Sequence, residues 1–279
     1  MSESLFCGTE LAARIERAAV ELTIAGTEAG RRRRPEAAGF VRLIGGGAAC
    51  FTEPGSPLNK VAGLGFGELP SAAELDELET AYAATGTPTQ VELAQLGDPA
   101  LAIALTERGY RLTSFENVLG RVIEPGFAGQ VPAALEIERS GDDELDSWVD
   151  VMVEGFAHPD EQGVASQEEF PRDVLAAVTR DMAAVSGVRR YLARRDGVPA
   201  GAASMRCGDG IAQFNGAATA PAHRRHGVQT ALLSARLADA ARANCDLAVI
   251  VTMPGSKSQQ NSQRSGFQLL YARAMLIKS

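Results

Sequence analysis

Thr219-Ala-Pro-Ala-His-Arg-Arg-His-Gly-Val-Gln-Thr-Ala-Leu-Leu233 is the stretch that decides how this 279-residue chain is interpreted. The residues before it, 211–219, are small and apolar as in a strand, and Pro221 cannot continue a strand ladder. From Val228 onward apolar residues recur at the spacing of one helical face, which predicts a helix beginning between His226 and Val228. The stretch therefore joins a strand to a helix through a short basic turn.

This turn has the chemistry of an anion-binding site. The first amides of a helix have no intrahelical partner, and the helix dipole places partial positive charge there, so successive N–H groups can hold a phosphate. Gly227 lets the backbone approach a ligand closely, and Arg224 and Arg225 supply charge. The alternative is an ordinary strand, turn and helix with its arginines in solvent.

The motif Arg224-x-x-Gly227-x-Gln229, followed by Ala-Leu-Leu233, resembles the Q/R-x-x-G-x-G/A loop of the GNAT family of N-acetyltransferases. That loop binds the pyrophosphate of acetyl-CoA. Gln229 stands where the family usually has Gly or Ala, so we expect its side chain to point away from the pyrophosphate.

The resemblance implies that acetyl-CoA is the cosubstrate. It would be held by the end of the motif strand, the turn, the start of the helix and a later short helix. The residues at these positions are Ala217, Ala218, Thr219, Arg224, Arg225, His226, Gly227, Val228, Gln229, Thr230, Ser256, Asn261 and Arg264.

The order of the predicted elements continues the resemblance. Asp246–Thr252 is a β-branched apolar run typical of a buried strand, and Gly266-Phe267 matches the end of the family's short helix. Upstream, helical patterns at 142–156 and 167–185 precede a hairpin. From Ala133 to Ser279 the predicted order is strand, two helices, three strands, helix, strand, helix and strand pair, which is the order of GNAT enzymes.

In this family two parallel strands, here 211–219 and 246–252, splay apart at their carboxyl ends, and the pantetheine arm lies between them. A β-bulge near Ala217 or Ala218 would leave backbone groups free to contact the arm and the thioester oxygen. Tight packing of the strand against a helix explains the small residues there equally well.

The first half of the chain repeats part of the second. Thr106-Glu-Arg-Gly-Tyr-Arg-Leu112 parallels Gln263-Arg-Ser-Gly-Phe-Gln-Leu269, and a helix at 71–84 and a strand at 88–93 precede the first copy. Asn59–Pro70, however, contains no basic turn, and the helix after it carries acidic residues that would repel a pyrophosphate.

The chain is therefore predicted to be α/β, with an α+β mixed sheet and two GNAT-like acyl-CoA N-acyltransferase domains in tandem. Residues 1–122 would be a degenerate GNAT-like domain, and residues 133–279 the acetyl-CoA-binding GNAT domain. The Pro- and Gly-containing segment 123–132 suggests the boundary. An unrelated α/β domain in the first half is the alternative.

Composition agrees with this assignment. The formal net charge of −8 and the pI near 5.1 disfavour nucleic acid as a partner. The sequence has no apolar run of roughly 20 residues and no signal-peptide pattern, so we expect no membrane partner and a cytoplasmic location.

Four scattered cysteines and three histidines predict neither a metal site nor a disulfide framework. Arg31–Arg34 is interpreted as a solvated helix end, with a nucleic-acid or membrane patch as the alternative.

The catalytic residues are harder to identify. GNAT chemistry needs a base for the amine and an acid for the leaving thiolate. Ser262, or Asn261 with a one-residue shift, stands where many members have a catalytic tyrosine, and the motif strand offers no carboxylate. The candidate catalytic residues are therefore Glu154, His158 and Tyr271, with Asp160 and Glu161 nearby; surface charge is the alternative role.

The predicted function is transfer of an acetyl group from acetyl-CoA to a primary amine, in a monomer or homodimer, with a small molecule as acceptor. Two alternatives stay open: a non-catalytic CoA-binding or interaction module, and a peptide or protein N-acetyltransferase.

Overall fold

The structure is a computed structural model that describes residues 5–160, 164 and 170–279. The chain divides into two compact units. The first-half unit comprises residues 6–117 and 271–279, and the second-half unit comprises Leu5 and residues 118–270. Two strands, one ending at Val122 and one starting at Gln268, contribute residues to both units.

The first-half unit is built from three helices and the strands between them. In chain order its elements are α1 (Thr9–Arg33), β1 (Phe40–Ile44), β2 (Gly47–Phe51), β3 (Lys60–Ala62), α2 (Ala72–Ala83), β4 (Thr89–Ala94), α3 (Pro99–Glu107) and β5 (Arg111–Val122, to residue 117). A last strand, β11 (Gln268–Lys278), adds its residues from 271 onward.

The strands of this unit follow the order β1-β2-β3-β4-β11-β5. β3 and β4 are parallel, with Val61 opposite Val91, and β11 runs antiparallel to β4. Val20 of α1 packs with Ala48 and Cys50 of β2 in one cluster, whereas the intervening Ala49 belongs to the cluster of α2 and α3. Because successive residues of a strand face opposite sides, the sheet is covered on both faces.

The second-half unit contains the strand, turn and helix from which the sequence was interpreted. Its elements are β5 from residue 118, β6 (Glu136–Arg139), α4 (Leu145–Ala157), α5 (Arg172–Ala183), β7 (Val188–Arg195), β8 (Val198–Gly208), β9 (Ile211–Thr219), α6 (Val228–Arg242), β10 (Leu247–Thr252), α7 (Lys257–Arg264) and β11 to residue 270.

Here the strand order is β11-β5-β10-β9-β8-β7-β6. β9 and β10 are parallel, and β6 to β9 are antiparallel neighbours. α6 packs on one face, where Leu232 joins Ala203 and Phe214 in a core cluster. α4 and α5 cover the other face, where Trp148 joins Ala202.

Most predicted elements are present, with two differences. The predicted strand pair after α7 is the single strand β11, since no turn interrupts Gln268–Lys278. The predicted helix at 167–185 is described from Arg172, and Gln167 lies outside the described residues.

Residues 271–279 lie in the first-half unit, whereas the predicted range placed them with the second domain. Among the described residues, no helix is long and apolar enough to cross a membrane.

Candidate functional site

The turn before α6 leaves the start of that helix available to a ligand. Gly227 is the N-cap residue, with φ of +79°, and no side chain caps the helix. Arg225 also has a positive φ, +65°. The helix begins at Val228, as predicted. An uncapped helix start with two preceding arginines is a favourable place for a phosphate.

A cleft of about 470 Å³ opens beside this helix start. All the predicted cofactor-binding residues except His226 line it. Asp160, which the sequence had named beside the catalytic candidates, also lines the cleft, as does Ser258 of α7. The sequence did not point to the remaining lining residues, which are Gly155, Pro159, Val164, Met253 and Lys257. The structure therefore gathers the end of β9, the turn, the start of α6 and α7 around one cleft, with the end of α4 at its rim.

The cleft is positively charged although the chain carries a net charge of −8. Four cationic side chains line it, those of Arg224, Arg225, Lys257 and Arg264. Among the described lining residues, Asp160 is the only one with a carboxylate. Such an excess of cations favours a ligand with several phosphate charges.

The side chain of Gln229 is held against α7. Nδ2 of Asn261 donates a hydrogen bond to Oε1 of Gln229 over 2.6 Å. This contact joins the starting turn of α6 to the middle of α7, and it shows how a glutamine is accommodated where the family has Gly or Ala.

Arg224 is bound to the loop after α4. Its guanidinium donates to the backbone carbonyl of His158, and Nη1 lies 3.4 Å from the carbonyl oxygen of Pro159. The same arginine that the motif assigns to the pyrophosphate thus also contacts the rim of the cleft.

β9 and β10 separate beside the cleft. Their parallel pairing runs from Ile211 and Leu247 to Gln213 and Val249, and no further pairs join the two described strands. The strands therefore splay at their carboxyl ends, which is the arrangement the resemblance implied.

The bulge in β9 lies one residue before the predicted position. Ala203 of β8 is opposite Ala217, and Ser204 is opposite Asn215, so Gly216 is the extra residue. Its φ is +37°, a backbone conformation that glycine adopts without steric cost. This preference explains why the bulge is at Gly216 and not at Ala217 or Ala218.

Glu154 and His158 form a pair at the end of α4. Nδ1 of His158 lies 3.1 Å from Oε1 of Glu154, whose other oxygen accepts from Arg172 over 3.1 Å. Both side chains of the pair are about half exposed, and neither lines the cleft, although Gly155 and Pro159 beside them do. Glu161 lies outside the described residues.

The structure does not bring Tyr271 to the cleft. Tyr271 belongs to the first-half unit, is 4% exposed and donates its hydroxyl to Glu16 over 2.6 Å. Burial, together with the charge of Glu16, raises the pKa of Tyr271. The alternation of β11 turns this side chain inward, and a tyrosine buried on a carboxylate cannot serve as the acid at this cleft.

The residues at the family's tyrosine position are also unsuited to acid catalysis. Ser262 is fully buried and donates to the carbonyl of Ser258 over 2.9 Å. Asn261 lines the cleft but is bound to Gln229. Neither of these two residues therefore replaces that acid.

The first-half unit contains the same strand, loop and helix order but not the same site. Ser71 caps α2, and Glu74 accepts a hydrogen bond from the backbone N–H of Ser71 over 2.8 Å. These hydrogen bonds lower the pKa of Glu74 and place a carboxylate at the helix start. The loops after β3 and β4 are joined by the N–H of Asp98, which donates to the carbonyl of Gly65 over 2.8 Å.

Comparison with known proteins identifies the second half of the chain. A family model described as an acetyltransferase (GNAT) domain matches residues 118–255. These residues are a GNAT domain. The chain is accordingly a GNAT-type N-acetyltransferase, of a family that transfers acyl groups from acetyl-CoA. No curated protein matches the chain.

Solved structures extend the GNAT fold to both halves. A GCN5-related N-acetyltransferase from Kribbella flavida is 19% identical, with a TM-score of 0.63 over 91% of this chain and 95% of that chain. A tandem GNAT protein from the clavulanic acid biosynthesis pathway is 17% identical, with a TM-score of 0.60 over 91% and 87%. The chain therefore has a mixed α/β fold similar to that of these GNAT proteins, one of which is a tandem GNAT protein.

Proposed function

We propose that the protein transfers the acetyl group of acetyl-CoA to a primary amine of a small molecule, using the cleft of the second-half unit. The cleft at the splayed ends of β9 and β10 carries this proposal, because it joins an uncapped helix start, four cationic side chains and a β-bulge. The helix start and the cations suit the phosphates of CoA. The gap beside the bulge suits the pantetheine arm and thioester.

The first-half unit has no equivalent function in this proposal. The carboxylate of Glu74 occupies the start of α2, and the hydrogen bond between Asp98 and Gly65 joins the loops that would have to part for a pantetheine arm. We therefore retain residues 1–122 as a degenerate copy and residues 133–279 as the acetyl-CoA-binding copy.

We assign the general base to His158 and its orientation to Glu154. An imidazole nitrogen can accept the proton of an attacking amine, and a hydrogen-bonded carboxylate holds such a ring in place. The pair lies at the end of α4, next to the cleft-lining residues Gly155 and Pro159. Transfer itself then needs only the alignment of the neutral amine with the thioester carbon, and no enzyme nucleophile.

The test is release of free CoA thiol from acetyl-CoA across a panel of primary amines and short peptides. The proposal predicts release with at least one small amine, and loss of that release in His158→Asn with CoA affinity kept. Release with peptides alone would support the peptide acetyltransferase. CoA binding without release from any acceptor would support a binding module, which the missing tyrosine and motif-strand carboxylate favour.

A further inference from the structure

Side chains from both faces of the sheet hold the bulge in β9. Ala203 and Ser204 are the residues of β8 opposite the bulge, and the backbone carbonyl of each accepts a side-chain hydrogen bond. Nε1 of Trp148, on α4, donates to Ala203 over 3.2 Å. Nη1 of Arg236, on α6, donates to Ser204 over 3.2 Å.

A third hydrogen bond acts on the bulged strand itself. Oγ of Ser204 donates to the carbonyl of Asn215 over 2.9 Å. Asn215 directly precedes Gly216, the extra residue of the bulge. A bulge interrupts the backbone hydrogen bonds between two strands. These three side-chain hydrogen bonds therefore hold the backbone in place where the strand hydrogen bonds are interrupted.

Arg236 is an unusual residue for this place in the core. It is fully buried, its Nε donates to the carbonyl of Leu232, and its guanidinium lies 4.5 Å from the ring centre of Phe214. No carboxylate within the described part of the chain forms an ion pair with it, and its Nη2 has no hydrogen-bond partner there.

Such a buried cation is costly for stability. Removing a charge from water without a carboxylate partner is unfavourable, whereas a methionine of similar length would fill the space without that penalty. Stability alone therefore does not account for an arginine at position 236. Its hydrogen bond to the strand opposite the bulge supplies another reason.

We propose that Arg236 and Trp148 are positioning residues for acetyl transfer, because together they fix the bulge at Gly216. A fixed bulge keeps the backbone N–H groups beside Gly216 available to the thioester oxygen, where preorganised donors stabilise developing negative charge. The inference rests on the proposed function, since it assumes that acetyl-CoA lies in the cleft between β9 and β10.

The test uses the full chain and acetyl-CoA labelled with ¹³C at the thioester carbonyl. Isotope-edited infrared spectroscopy measures hydrogen bonding to that carbonyl without any acceptor, and calorimetry measures CoA affinity. The variants are Trp148→Phe, which keeps a ring but removes the donor, Arg236→Met and Arg236→Lys. Val149→Ala is the matched control, because Val149 neighbours Trp148 on α4, is 1% exposed and belongs to the same core cluster.

In the wild type, the carbonyl band of bound acetyl-CoA should lie at lower frequency than in water. Trp148→Phe and Arg236→Met should lose most of this shift, Arg236→Lys should recover part of it, and Val149→Ala should keep it. CoA affinity should stay within about twofold throughout, because Arg236 lies about 12 Å along α6 from the helix start. Turnover of the best amine should fall about tenfold or more in the first two variants.

A wild-type shift that persists in Trp148→Phe would overturn the inference, as would equal loss in Val149→Ala. If Arg236→Met does not fold, Trp148→Phe and Arg236→Lys decide the question. Acetyl-CoA binding without any wild-type shift would overturn this inference and leave the proposed function standing. Failure of the wild type to bind acetyl-CoA would overturn both.

Discussion

Gly227 and Ser71 occupy corresponding places, at the start of the helix that follows the first of two parallel strands. Gly227 leaves its helix uncapped, whereas Ser71 forms a capping box with Glu74. The capping box of Ser71 and Glu74 thus separates a helix start that already holds a carboxylate from one that can receive a phosphate.

Gly227→Asp should abolish most CoA affinity. It brings a negative charge to the phosphate position, and charge-assisted contacts there are worth about 1.5 to 3 kcal/mol each, so we expect a loss of about hundredfold or more in calorimetry. A Cβ at this glycine meets no atom within 4 Å, and the φ of +79° costs a non-glycine residue about 1 to 2 kcal/mol, so circular dichroism must first show that the variant is folded. Arg242→Ala, at the other end of α6, is the control and should bind as the wild type does. Equal affinity in Gly227→Asp would contradict the assignment.

Cys207 should be an unusually reactive thiol. A hydrogen bond from Cys245 and the nearby charge of Arg189 outweigh partial burial and lower the pKa of Cys207 to about 7. Because the thiolate is the reacting form, the rate of alkylation by iodoacetamide should rise with pH and be half-maximal near pH 7. Cys50, whose pKa burial raises to about 11, should not react in this range. A half-maximal rate near pH 9, or a fast phase that survives Cys207→Ser, would count against the predicted shift.

Among the secondary-structure elements, α1 is anchored by a buried ionic group. Glu16 is 2% exposed and accepts hydrogen bonds from Arg273 over 2.8 Å and from Tyr271 over 2.6 Å. Arg273 also lies 3.7 Å from carboxylate oxygens of Glu92 and Glu116.

Glu16→Ala should destabilise the protein by about 2 to 4 kcal/mol, because it leaves Nε of Arg273 and the hydroxyl of Tyr271 buried without an acceptor. Urea denaturation followed by circular dichroism measures this change in the free energy of unfolding. Glu10→Ala, on the exposed start of the same helix, is the control and should change stability by less than about 0.5 kcal/mol. Similar values for the two variants would show that the buried group does not anchor α1.

The sequence predicted elements where its pattern was strong and missed them where it was weak. The β-branched run of β10 and the apolar face of α6 gave clear signals, and both elements are present. The helix predicted at 71–84 is likewise present, as α2. For the alanine-rich helix α1 only the basic end, Arg31–Arg34, was predicted. Alanine and glycine differ little in hydrophobicity from their neighbours, so the helical period is weak there.

The candidate site could be predicted only in its local part. The pyrophosphate turn is contiguous in sequence, so its residues could be named. Gly155 shows what could not be seen: a Cβ there would lie 2.5 Å from the Cβ of Ala218, so α4 packs closely on β9 only because this residue is glycine. Tyr271 was misplaced because the path of β11 into the first-half unit depends on long-range strand pairing, which local patterns do not reveal.

At the scale of the whole molecule, the two units share strands. β5 passes from the first-half unit to the second-half unit after Asn117, and β11 passes back after Leu270. A cut between the predicted domains therefore removes strand residues that belong to the other unit.

The fragment 123–279 should consequently fail to fold on its own. It lacks residues 118–122 of β5, including the fully buried Leu119, which belongs to the core cluster on the α6 side. Its residues 271–279 lack the rest of the first-half unit, to which they belong. We expect no cooperative thermal transition by circular dichroism, whereas the full chain should show one. Native-like melting of the fragment would mean that the second copy is independent of the shared strands.

The central claim is that the chain binds acetyl-CoA at one place, the start of α6. The most direct measurement is an isothermal titration of the full chain with acetyl-CoA, repeated on Gly227→Asp. We predict one molecule bound per wild-type chain and no measurable binding in the variant. Two molecules per chain, or one that remains bound in Gly227→Asp, would contradict the account.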